Sequence, residues 1–318
     1  MPEGGLDVVY TWVDDAQPGY LDELRRHARS ANDLNPNRTR DNLQLLRYSL
    51  RSLARFAPWV GRILIFSARP QVPAWLDLRS GRVEVLHHDA VIPPEELPTF
   101  NSFAIVSHLH RLPGLGRRFL YMEDDMLFGA PVRPEDFLDA AGRIRVFARL
   151  AYSVAPERRH DREGSPWNAS IAQANDLLDR RFGRRRRRVV NHVPLLIDRE
   201  IWGEMLAAWA EATRCTRASR FRAAGNIAPE FLYPHYLLAT ERGGEGGALR
   251  TYRDSFYFPL ENSALLTRLL IAAVRALRPK FLALNDNFGD RPDPEAVRLV
   301  ARFLEDCYPE PSPFERAP

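Results

Sequence analysis

The chain has 318 residues, 45% of them hydrophobic, which is enough to bury a large core and excludes an intrinsically disordered protein. Its formal net charge is only +4, from 45 basic and 41 acidic residues, so the charge gives little support for a nucleic-acid partner. The two cysteines, Cys215 and Cys307, lie far apart and outside any CxxC pair. This argues against a disulfide framework or a zinc site and fits a reducing compartment.

No segment of the sequence predicts secretion or membrane insertion. The N-terminal stretch MPEGGLDVVYTWV lacks a basic region followed by an apolar one, so we expect no signal peptide. The most apolar later segment, residues 264–277, is interrupted by Arg268 and Arg275 and is shorter than the roughly 20 residues that span a bilayer. We therefore expect a cytoplasmic protein.

Short β-branched or aromatic runs alternate with helical patterns in the first 130 residues. Strands are predicted over residues 7–13, 62–67, 83–87 and 118–122. Between them, residues 41–56 carry leucines at spacings of three and four, which predicts an amphipathic helix capped by Asp41, and residues 100–112 predict a second helix. Strands that alternate with helices favour an α/β fold with a mostly parallel sheet covered by helices on both faces.

From Pro131 the pattern becomes mainly helical. The clearest helices are predicted over residues 168–183 and 198–214, and the glycine-rich residues 241–249 are predicted to be a flexible break. Near the end of the sequence, residues 280–286 predict a strand, and residues 293–309 predict a helix with Asp293 as its cap and Pro294 at its first position. The sequence thus predicts an α/β core built from residues 1–130 and 278–318, with a mainly helical insertion over 131–277.

Three acidic residues, Glu123, Asp124 and Asp125, stand between two apolar runs. They follow a predicted strand, and ligands bind beyond the carboxyl ends of the strands in a parallel sheet. Adjacent carboxylates repel each other unless a cation neutralises them, so Asp124 and Asp125 predict a divalent metal site suited to Mg²⁺ or Mn²⁺. A solvated turn or a helix cap is the alternative, since Asp is common in turns.

Two polar clusters near the N-terminus could bind a nucleotide. Trp12, beside a predicted strand end, could stack on a nucleobase or a sugar, and ordinary core packing is the alternative. Arg40, at the start of the first long helix, could face a phosphate, or it could pair with Asp41 or Asp14. Neither cluster alone identifies a ligand.

His192 follows an arginine run, from Arg184 to Arg188, at a distance of a few residues. A lone histidine is more often structural than catalytic, but the neighbouring arginines favour a role near anions. The run itself could touch a phosphorylated substrate, or the inner face of a membrane as a peripheral contact, and a solvated loop is the simplest interpretation. Because no aromatic residues alternate with these arginines, we expect no nucleic-acid partner.

Several long blocks of the sequence resemble, in order, the signature regions of the Stealth family. They are DVVYTWVDD, RDNLQLLRYSLRSLARFAPWVGRILIFSARPQVPAWLDL with LPTFNSFAIVSHLHRLPGLGRRFLYMEDDMLFG, NHVPLLIDR, and LNDNFGDRPDPEAVRLVARFLEDCYPEPSPFE. This family includes bacterial capsular polysaccharide phosphotransferases and the catalytic subunit of lysosomal-enzyme N-acetylglucosamine-1-phosphotransferase. The resemblance covers most of the chain, and its long second block is far more specific than an acid pair.

The resemblance implies a nucleotide-sugar transferase-like fold and a sugar-phosphate transferase. Such an enzyme moves a hexose or hexosamine 1-phosphate from a UDP-sugar to a hydroxyl of an oligo- or polysaccharide acceptor, as in capsular or exopolysaccharide synthesis. The acceptor oxygen attacks the β-phosphorus, UMP leaves, and a phosphodiester is formed. Two alternatives are left open: a metal-dependent glycosyltransferase that releases UDP, and a non-catalytic polysaccharide-binding protein.

The resemblance also implies roles for single residues. Those expected to contact the nucleotide sugar are Thr11, Trp12, Asp14, Arg40, Asp41, Asn42 and Asn101. The expected ligands of Mg²⁺ or Mn²⁺ are Asp124, Asp125, Asn285 and Asp286. The expected catalytic residues are Asp125, His192 and Arg222, with Asp125 or His192 as the base and Arg222 directed at a phosphate. A cation, an arginine and helix N-termini would supply the charge neutralisation that phosphoryl transfer needs. Glu123 departs from the family, which commonly has asparagine there.

Overall fold

The computed structural model describes residues 5–160 and 165–316. These residues contain twelve strands and ten α-helices. The strands are β1 (Leu6–Trp12), β2 (Val60–Ser67), β3 (Val83–His87), β4 (Arg118–Glu123), β5 (Met126–Phe128), β6 (Ile144–Val146), β7 (Ala148–Tyr152), β8 (Arg188–Val190), β9 (Leu195–Asp198), β10 (Gly243–Glu245), β11 (Ser255–Leu260) and β12 (Phe281–Asp286). The helices are α1 (Tyr20–His27), α2 (Leu45–Phe56), α3 (Ser102–Ser107), α4 (Pro166–Phe182), α5 (Arg199–Ala208), α6 (Ala210–Ala218), α7 (Pro229–Ala239), α8 (Ala248–Asp254), α9 (Ala264–Leu277) and α10 (Pro294–Cys307).

The central sheet has the strand order β3-β2-β1-β4-β9. Its first four strands are parallel to one another, and β9 is antiparallel to β4. Val8, Val9 and Tyr10 of β1 are all fully buried, as expected for a parallel strand that is covered on both faces. The predicted mostly parallel sheet is confirmed, and each predicted strand of β1 to β4 lies within two residues of its observed bounds.

Helices cover both faces of this sheet. On one face, the Tyr10 hydroxyl of β1 forms a 2.8 Å hydrogen bond with the Ser49 hydroxyl of α2. Tyr121 of β4 pairs with the neighbour of Tyr10 in β1 and therefore points to the opposite face. There, burial raises the pKa of Tyr121 well above its usual range, and the nearby charges of Glu123 and of Glu230 in α7 add to the shift.

The region between β5 and β12 is not a separate helical layer in the described part of the chain. It contains α4 to α9 but also β6 to β11, and β9 joins the central sheet. Buried side chains of this region, such as Phe137 and Trp202, belong to the same apolar core as β1, β2 and β4. The boundaries 1–130, 278–318 and 131–277 stay a prediction, but both parts share one core.

Three predicted helices differ from the observed ones. α2 begins at Leu45, four residues after Asp41, and the Asp41 carboxylate accepts a 2.8 Å hydrogen bond from the Leu45 N–H. The next helix is only Ser102–Ser107, followed by a short 3-10 turn. The helix predicted over 198–214 is divided at Trp209, whose backbone leaves the helical region while its side chain packs into the core. Tertiary packing overrides the helical pattern there.

The predicted flexible break over residues 241–249 is wrong. Gly243–Glu245 form β10, which pairs in parallel with β6. Gly244 lies so close to the Asp139 carboxylate that a Cβ atom would collide with it. Glycine here allows two segments to approach closely, so it serves packing rather than mobility.

A three-stranded sheet, β11-β12-β5, brings the C-terminal part of the chain beside the acidic turn. β12 runs antiparallel to β5, with Ala283 opposite Met126. The N–H of Leu284 donates to the backbone oxygen of Asp125 at 2.9 Å. The end of β12 is therefore fixed next to the turn that carries Asp124 and Asp125.

The elements near the C-terminus confirm their predictions. β12 matches the predicted strand to within one residue, and α10 is capped by Asp293, whose carboxylate accepts a 3.0 Å hydrogen bond from the Glu295 N–H. Pro294 occupies the first turn. None of the helices among the described residues has the length and apolar character needed to cross a membrane.

Glu315 attaches the last described residues to α2. Its side chain is 2% exposed and lies 2.6 Å from Arg47 Nε and 2.7 Å from Arg51 Nε. Burial acts to raise the pKa of this carboxyl, but hydrogen bonds from Arg51, the Ser312 N–H and Arg47 lower it to about 2 from the ordinary 4.5. The interaction therefore stabilises the fold fully above pH 4.5 and is lost as the pH falls through about 2.

We expect Glu315→Gln to lower the free energy of unfolding by about 2 to 3 kcal/mol at pH 7, because two partly buried guanidiniums lose their carboxylate. Urea denaturation measures this loss, which should shrink as the pH is lowered toward 2. Glu310→Gln, at an exposed carboxylate in the same segment, is the matched control and should change stability by less than about 0.5 kcal/mol. Equal losses in the two variants, or a loss that is the same at every pH, would contradict this role.

Candidate active site

The candidate site lies at the carboxyl ends of β1 and β4, where the strand order of the central sheet reverses. Ligands of parallel α/β sheets bind at such a switch point. Thr11 and Glu123 are partners in the register of β1 and β4, and the Thr11 hydroxyl forms a 2.9 Å hydrogen bond with the Tyr121 hydroxyl. The two strands therefore place Glu123 at the rim of the crevice.

Three side chains that could hold a metal ion meet at this rim. Glu123, Asp125 and His192 each offer one ligand atom, and these atoms lie within 4.8 Å of one another. Nε2 of His192 lies 2.9 and 3.0 Å from the two carboxylate oxygens of Asp125. The pairing of β9 with β4 brings the loop that carries His192 to the acidic turn. The sequence prediction that Asp125 and His192 share a site agrees with this geometry.

Asp124 is not part of this cluster. Asp124 and Asp125 form the turn between β4 and β5, and the group of described residues that lie close enough to hold one metal ion contains Glu123, Asp125 and His192 but not Asp124. Burial raises the pKa of Asp124 well above its usual range, and the charge of Asp41 adds more to the shift than those of its neighbours Asp125 and Glu123. In the structure, Glu123 and His192 are the groups that accompany Asp125, and the expected metal site formed by Asp124 and Asp125 stays a prediction.

Neighbouring strands hold His192 in place. The side-chain oxygen of Asn191 accepts a 2.7 Å hydrogen bond from Arg149 Nε, and its amide donates to the Ser255 hydroxyl. The ring of Tyr257 in β11 meets the His192 ring edge-on at 6.5 Å between centroids, and Arg149 lies 5.1 Å over the Tyr257 ring. Among the described residues, no hydrogen bond is formed by His192 Nδ1, so this nitrogen is available to a substrate.

The surrounding carboxylates favour the charged form of His192. Burial acts to lower the pKa of the imidazole, but the charges of Asp125 and Glu123 and the hydrogen bond to Asp125 outweigh it and raise the pKa to about 9. At neutral pH the isolated site therefore holds a proton on His192. A protonated imidazole can neither ligate a metal nor accept a proton, so the role of His192 depends on what binds beside the carboxylates.

Glu230, in the first turn of α7, is a second buried carboxyl near the cluster. Its Oε2 atom is buried and has no hydrogen-bond partner among the described residues. Burial first, and the charge of Glu123 second, raise the pKa of Glu230 to about 8. Burial also raises the pKa of Glu123, while the charge of His192 opposes that shift. Glu230 is therefore mostly neutral at pH 7.

Arg222 lies near Glu230 and Glu123, and Arg38 lies near Arg222. Arg222 lies 4.5 Å over the ring of Phe103 and donates to the Ser102 hydroxyl at 2.6 Å. Burial, with the nearby charge of Arg222, lowers the pKa of Arg38 to about 10. Within the described residues, neither arginine forms an ion pair with a carboxylate. Two neighbouring cations in this state are suited to bind a phosphate.

Arg40 and Asp286 bind each other. Arg40 donates to both carboxylate oxygens of Asp286, at 2.7 and 2.8 Å, and to the backbone oxygen of Gly289 at 2.9 Å. In this structure Asp286 is therefore paired with a guanidinium and Arg40 with a carboxylate. The expected roles of Asp286 as a metal ligand and of Arg40 at a phosphate stay predictions. Asn285 is half-buried at the end of β12, close to the backbone of Asp125.

Trp12 and Asp41 also bind each other. Trp12 is 5% exposed, and its indole N–H donates to Asp41 Oδ2 at 2.9 Å. Core packing, the alternative to stacking on a nucleotide, is thus the observed state of Trp12. Burial raises the pKa of Asp41 to about 6 despite the hydrogen bonds that it accepts. Asp14 caps its own loop by accepting a hydrogen bond from the Ala16 N–H, and Asn42 is exposed.

Asn101 lies in the interior and is 0% exposed. Its side-chain amide donates to the backbone oxygen of Ser219 at 3.0 Å and to the side chain of Asn226 at 2.9 Å, and its oxygen accepts from the Phe103 N–H. These bonds fix the loop that carries Arg222. In the structure Asn101 supports this loop, and its expected contact with the nucleotide sugar stays a prediction.

Sequence reasoning does not find four residues of the site, which are Arg38, Arg149, Glu230 and Tyr257. The only signal is at Glu230, an acid placed directly before the apolar residues 231–239. Arg149 and Tyr257 reach His192 only through the pairing of strands that are distant in the sequence. Glu123 was recognisable as a departure from the family pattern, but its grouping with His192 depends on the fold.

The donor set of the cluster suits a divalent cation. Carboxylate oxygens such as those of Glu123 and Asp125 are the preferred ligands of Mg²⁺ and Mn²⁺. An imidazole nitrogen shifts the preference toward Mn²⁺ and later transition metals. Three ligand atoms within 4.8 Å of one another can serve one ion. The residues present therefore fit a divalent metal site.

Three models of one protein family match this chain. They describe conserved region 2 of Stealth proteins, matched over residues 38–146, conserved region 3, over 191–239, and conserved region 4, over 272–318. Together they cover more than half of the chain. Glu123 and Asp125 lie in region 2, and His192, Arg222 and Glu230 lie in region 3.

Curated relatives are similar over nearly the whole chain. An exopolysaccharide phosphotransferase of Streptomyces coelicolor is 35% identical over a match that covers 98% of this chain and 57% of the relative. One of Nocardia farcinica is 36% identical, with 98% and 61% covered. The capsular polysaccharide phosphotransferase SacB of Neisseria meningitidis serogroup A is 28% identical, with 98% and 57% covered. This chain thus spans little more than half the length of these relatives.

Solved structures show only remote likeness. The galactosyltransferase LgtC in complex with donor and acceptor sugar analogs has a TM-score of 0.43 and 14% identity, with 95% of this chain and 96% of that chain covered. Mouse xyloside xylosyltransferase 1 in its apo form has a TM-score of 0.39 and 13% identity, with 87% and 97% covered. Nothing about activity follows from scores of this size.

Proposed function

This chain belongs to the Stealth family, and from that premise we propose that it transfers a hexose or hexosamine 1-phosphate from a UDP-sugar to a sugar hydroxyl. UMP leaves, and the product is a phosphodiester in a cell-surface or capsular polysaccharide. The observation that carries the proposal is the cluster of Glu123, Asp125 and His192 in the crevice between β1 and β4. The names of the relatives, exopolysaccharide and capsular polysaccharide phosphotransferases, support it.

The crevice between β1 and β4 receives the donor in this proposal. Arg222 and Arg38 bind the diphosphate, because they are neighbouring cations that no carboxylate of the described residues neutralises by an ion pair. Thr11 and Asn42 border the nucleotide. Trp12, Asp41, Arg40 and Asp286 form the wall behind it through the bonds that they make with each other.

Glu123 and Asp125 would hold the divalent cation, Mg²⁺ or Mn²⁺. When bound there, it would neutralise the diphosphate and oppose the proton on His192. The two carboxylates are preorganised for this task, since β4 fixes Glu123 and the hydrogen bond to His192 fixes Asp125. Phosphoryl transfer depends mainly on such positioning and charge neutralisation.

His192 is the base in this proposal. The acceptor oxygen forms a bond to the β-phosphorus while the bond from this phosphorus to the bridging oxygen breaks, and the bridging oxygen leaves with UMP. Nδ1 of His192 takes the proton of the acceptor hydroxyl. Asp125, bonded to Nε2 at 2.9 Å, orients the imidazole and stabilises its charged form. The product carries one phosphate between two sugars, and a proton remains on His192 for release to solvent.

The identity of the released nucleotide tests the proposed function. With Mg²⁺ or Mn²⁺, a panel of UDP-sugars and short oligosaccharide acceptors, the protein should release UMP, and phosphorus NMR should show a phosphodiester in the product. Release of UDP would indicate a glycosyltransferase that attacks the anomeric carbon. Polysaccharide binding without turnover of any donor would indicate a binding protein. The cytoplasmic location and the membrane contact of the run from Arg184 to Arg188 stay predictions.

A further inference from the structure

A second basic surface lies at the far end of the ribbon formed by β7 and β8. These strands pair antiparallel, with Ala148 opposite Val190 near the active site and Tyr152 opposite Arg188 at the other end. A cavity of about 400 Å³ opens at that end. Its charged lining consists of Glu157, Asp179 and the four arginines from Arg184 to Arg187.

The cavity carries more positive charge than its own carboxylates neutralise. Two of its arginines, Arg184 and Arg187, pair with the two carboxylates at 2.7 and 2.6 Å. Over residues 5–160 and 165–316, no carboxylate forms an ion pair with Arg185 or Arg186, and both side chains are exposed. Two guanidiniums are therefore available to an anionic ligand.

The surface between the cavity and the active site is partly aromatic. The guanidinium of Arg186 lies 3.9 Å over the ring of Tyr152, which is 50% exposed. Leu150 of β7 is 58% exposed, and its N–H donates to the hydroxyl of Tyr252 at 3.3 Å. Tyr252 of α8 is itself 49% exposed. Exposed tyrosine rings with apolar faces and polar edges are suited to contact sugar rings.

The ribbon leads from this surface to the proposed base. Arg188 and His192 are separated by about 13 Å of chain if it is fully extended. At the active-site end, Arg149 of β7 bonds Asn191, the neighbour of His192, and covers Tyr257. A ligand that lies along the ribbon would therefore bring one of its ends to the acidic cluster.

We propose that the growing polysaccharide binds along an acceptor strip composed of Leu150, Tyr152, Arg185, Arg186 and Tyr252. The tyrosines contact sugar rings, and the arginines bind the phosphodiester groups between them. This inference rests on the proposed function, because a sugar-phosphate transferase makes a polymer in which sugars alternate with phosphates. A surface that combines exposed aromatic rings with guanidiniums at the mouth of a cavity matches such a chain better than it matches a flat anionic membrane.

Direct binding tests the strip without relying on catalysis. The probes are oligomers of a sugar 1-phosphate joined by phosphodiesters and, for comparison, dextran of similar length, with binding to the full chain measured by calorimetry. Arg185→Ala with Arg186→Ala should weaken oligomer binding roughly tenfold and leave dextran binding unchanged. The difference should shrink at high salt, because exposed charges are screened. Arg298→Ala with Arg302→Ala, which removes the same charge from exposed positions of α10, should have no effect.

Kinetics with acceptors of two lengths give the second test. The double variant Arg185→Ala with Arg186→Ala should raise KM for a long oligomer roughly tenfold and leave kcat unchanged. KM for a single-sugar acceptor should change far less. An unchanged KM for the long oligomer, or an equal loss with both acceptors, would overturn the proposal.

Two further outcomes distinguish the acceptor strip from a membrane-binding surface and from the proposed function. If the variant loses binding to phosphatidylglycerol vesicles but keeps oligomer binding, the arginines contact a membrane and the proposal is overturned. If wild-type protein releases UMP from no UDP-sugar, the proposed function fails, yet oligomer binding that disappears in the strip variant would still support the strip as a phosphodiester-binding surface.

Discussion

Asp125→Asn should lower kcat for UMP release by about 10³-fold or more and leave the fold intact. Asparagine keeps the size of the side chain but not its charge, so it removes a proposed ligand of the cation and the partner of His192 Nε2. The concentration of Mg²⁺ or Mn²⁺ needed for half the maximal rate should therefore also rise, by about tenfold or more. Single-turnover release of UMP measures the rate, and circular dichroism checks the fold.

Asp124→Asn is the matched control, because it makes the same change one residue earlier. The Asp124 carboxyl is outside the cluster of Glu123, Asp125 and His192, and its pKa is influenced mainly by burial and Asp41. We therefore expect a much smaller loss of kcat and an unchanged metal requirement. Equal losses of kcat in the two variants would support the metal site formed by Asp124 and Asp125 that the sequence predicts. A wild-type rate in Asp125→Asn would exclude this residue from the chemistry.

The parallel part of the fold was predictable because its strands are near-continuous apolar runs separated by amphipathic helices. β3 is found at its predicted bounds, and α10 starts at its predicted cap. Strand β9 was not predictable, because its four residues are too few to show a strand pattern and form a strand only by pairing with β4. β10 was missed for a related reason: its glycines read as a loop until the close approach of Asp139 is known.

The candidate site was predictable as a location but not as an arrangement. Sequence identifies Asp125 and His192 as candidates, but only the fold groups Glu123 with Asp125 and His192 and leaves Asp124 out of that cluster. Arg40 and Asp286 are 246 positions apart in the sequence, so their hydrogen bond to each other could not be predicted. The burial of Trp12 and Asn101 could not be predicted either, because both side chains are polar enough to bind a ligand but lie inside the protein.

His192→Asn should lower kcat by about 10² to 10⁴-fold, the range for loss of a general base, while the metal requirement and the affinity for the UDP-sugar stay close to wild type. This pattern differs from that of Asp125→Asn because the proposed role of His192 is to accept a proton, whereas the proposed role of Asp125 is to contribute charge to the metal site. Titrating Mg²⁺ or Mn²⁺ against the rate separates the two. His27→Asn, at a partly exposed histidine on α1, is the control and should be near wild type.

Two outcomes would reverse the assignment at His192. If excess metal restores the rate of His192→Asn, the imidazole is a third metal ligand and the base lies elsewhere. If added imidazole fails to restore any activity to His192→Ala while the fold is intact, a proton acceptor is not what was removed. Because Asp125 and His192 are bonded at 2.9 Å, the effects of their substitutions should not add if the two residues act as one unit, as proposed. The double variant should therefore be only slightly slower than Asp125→Asn alone.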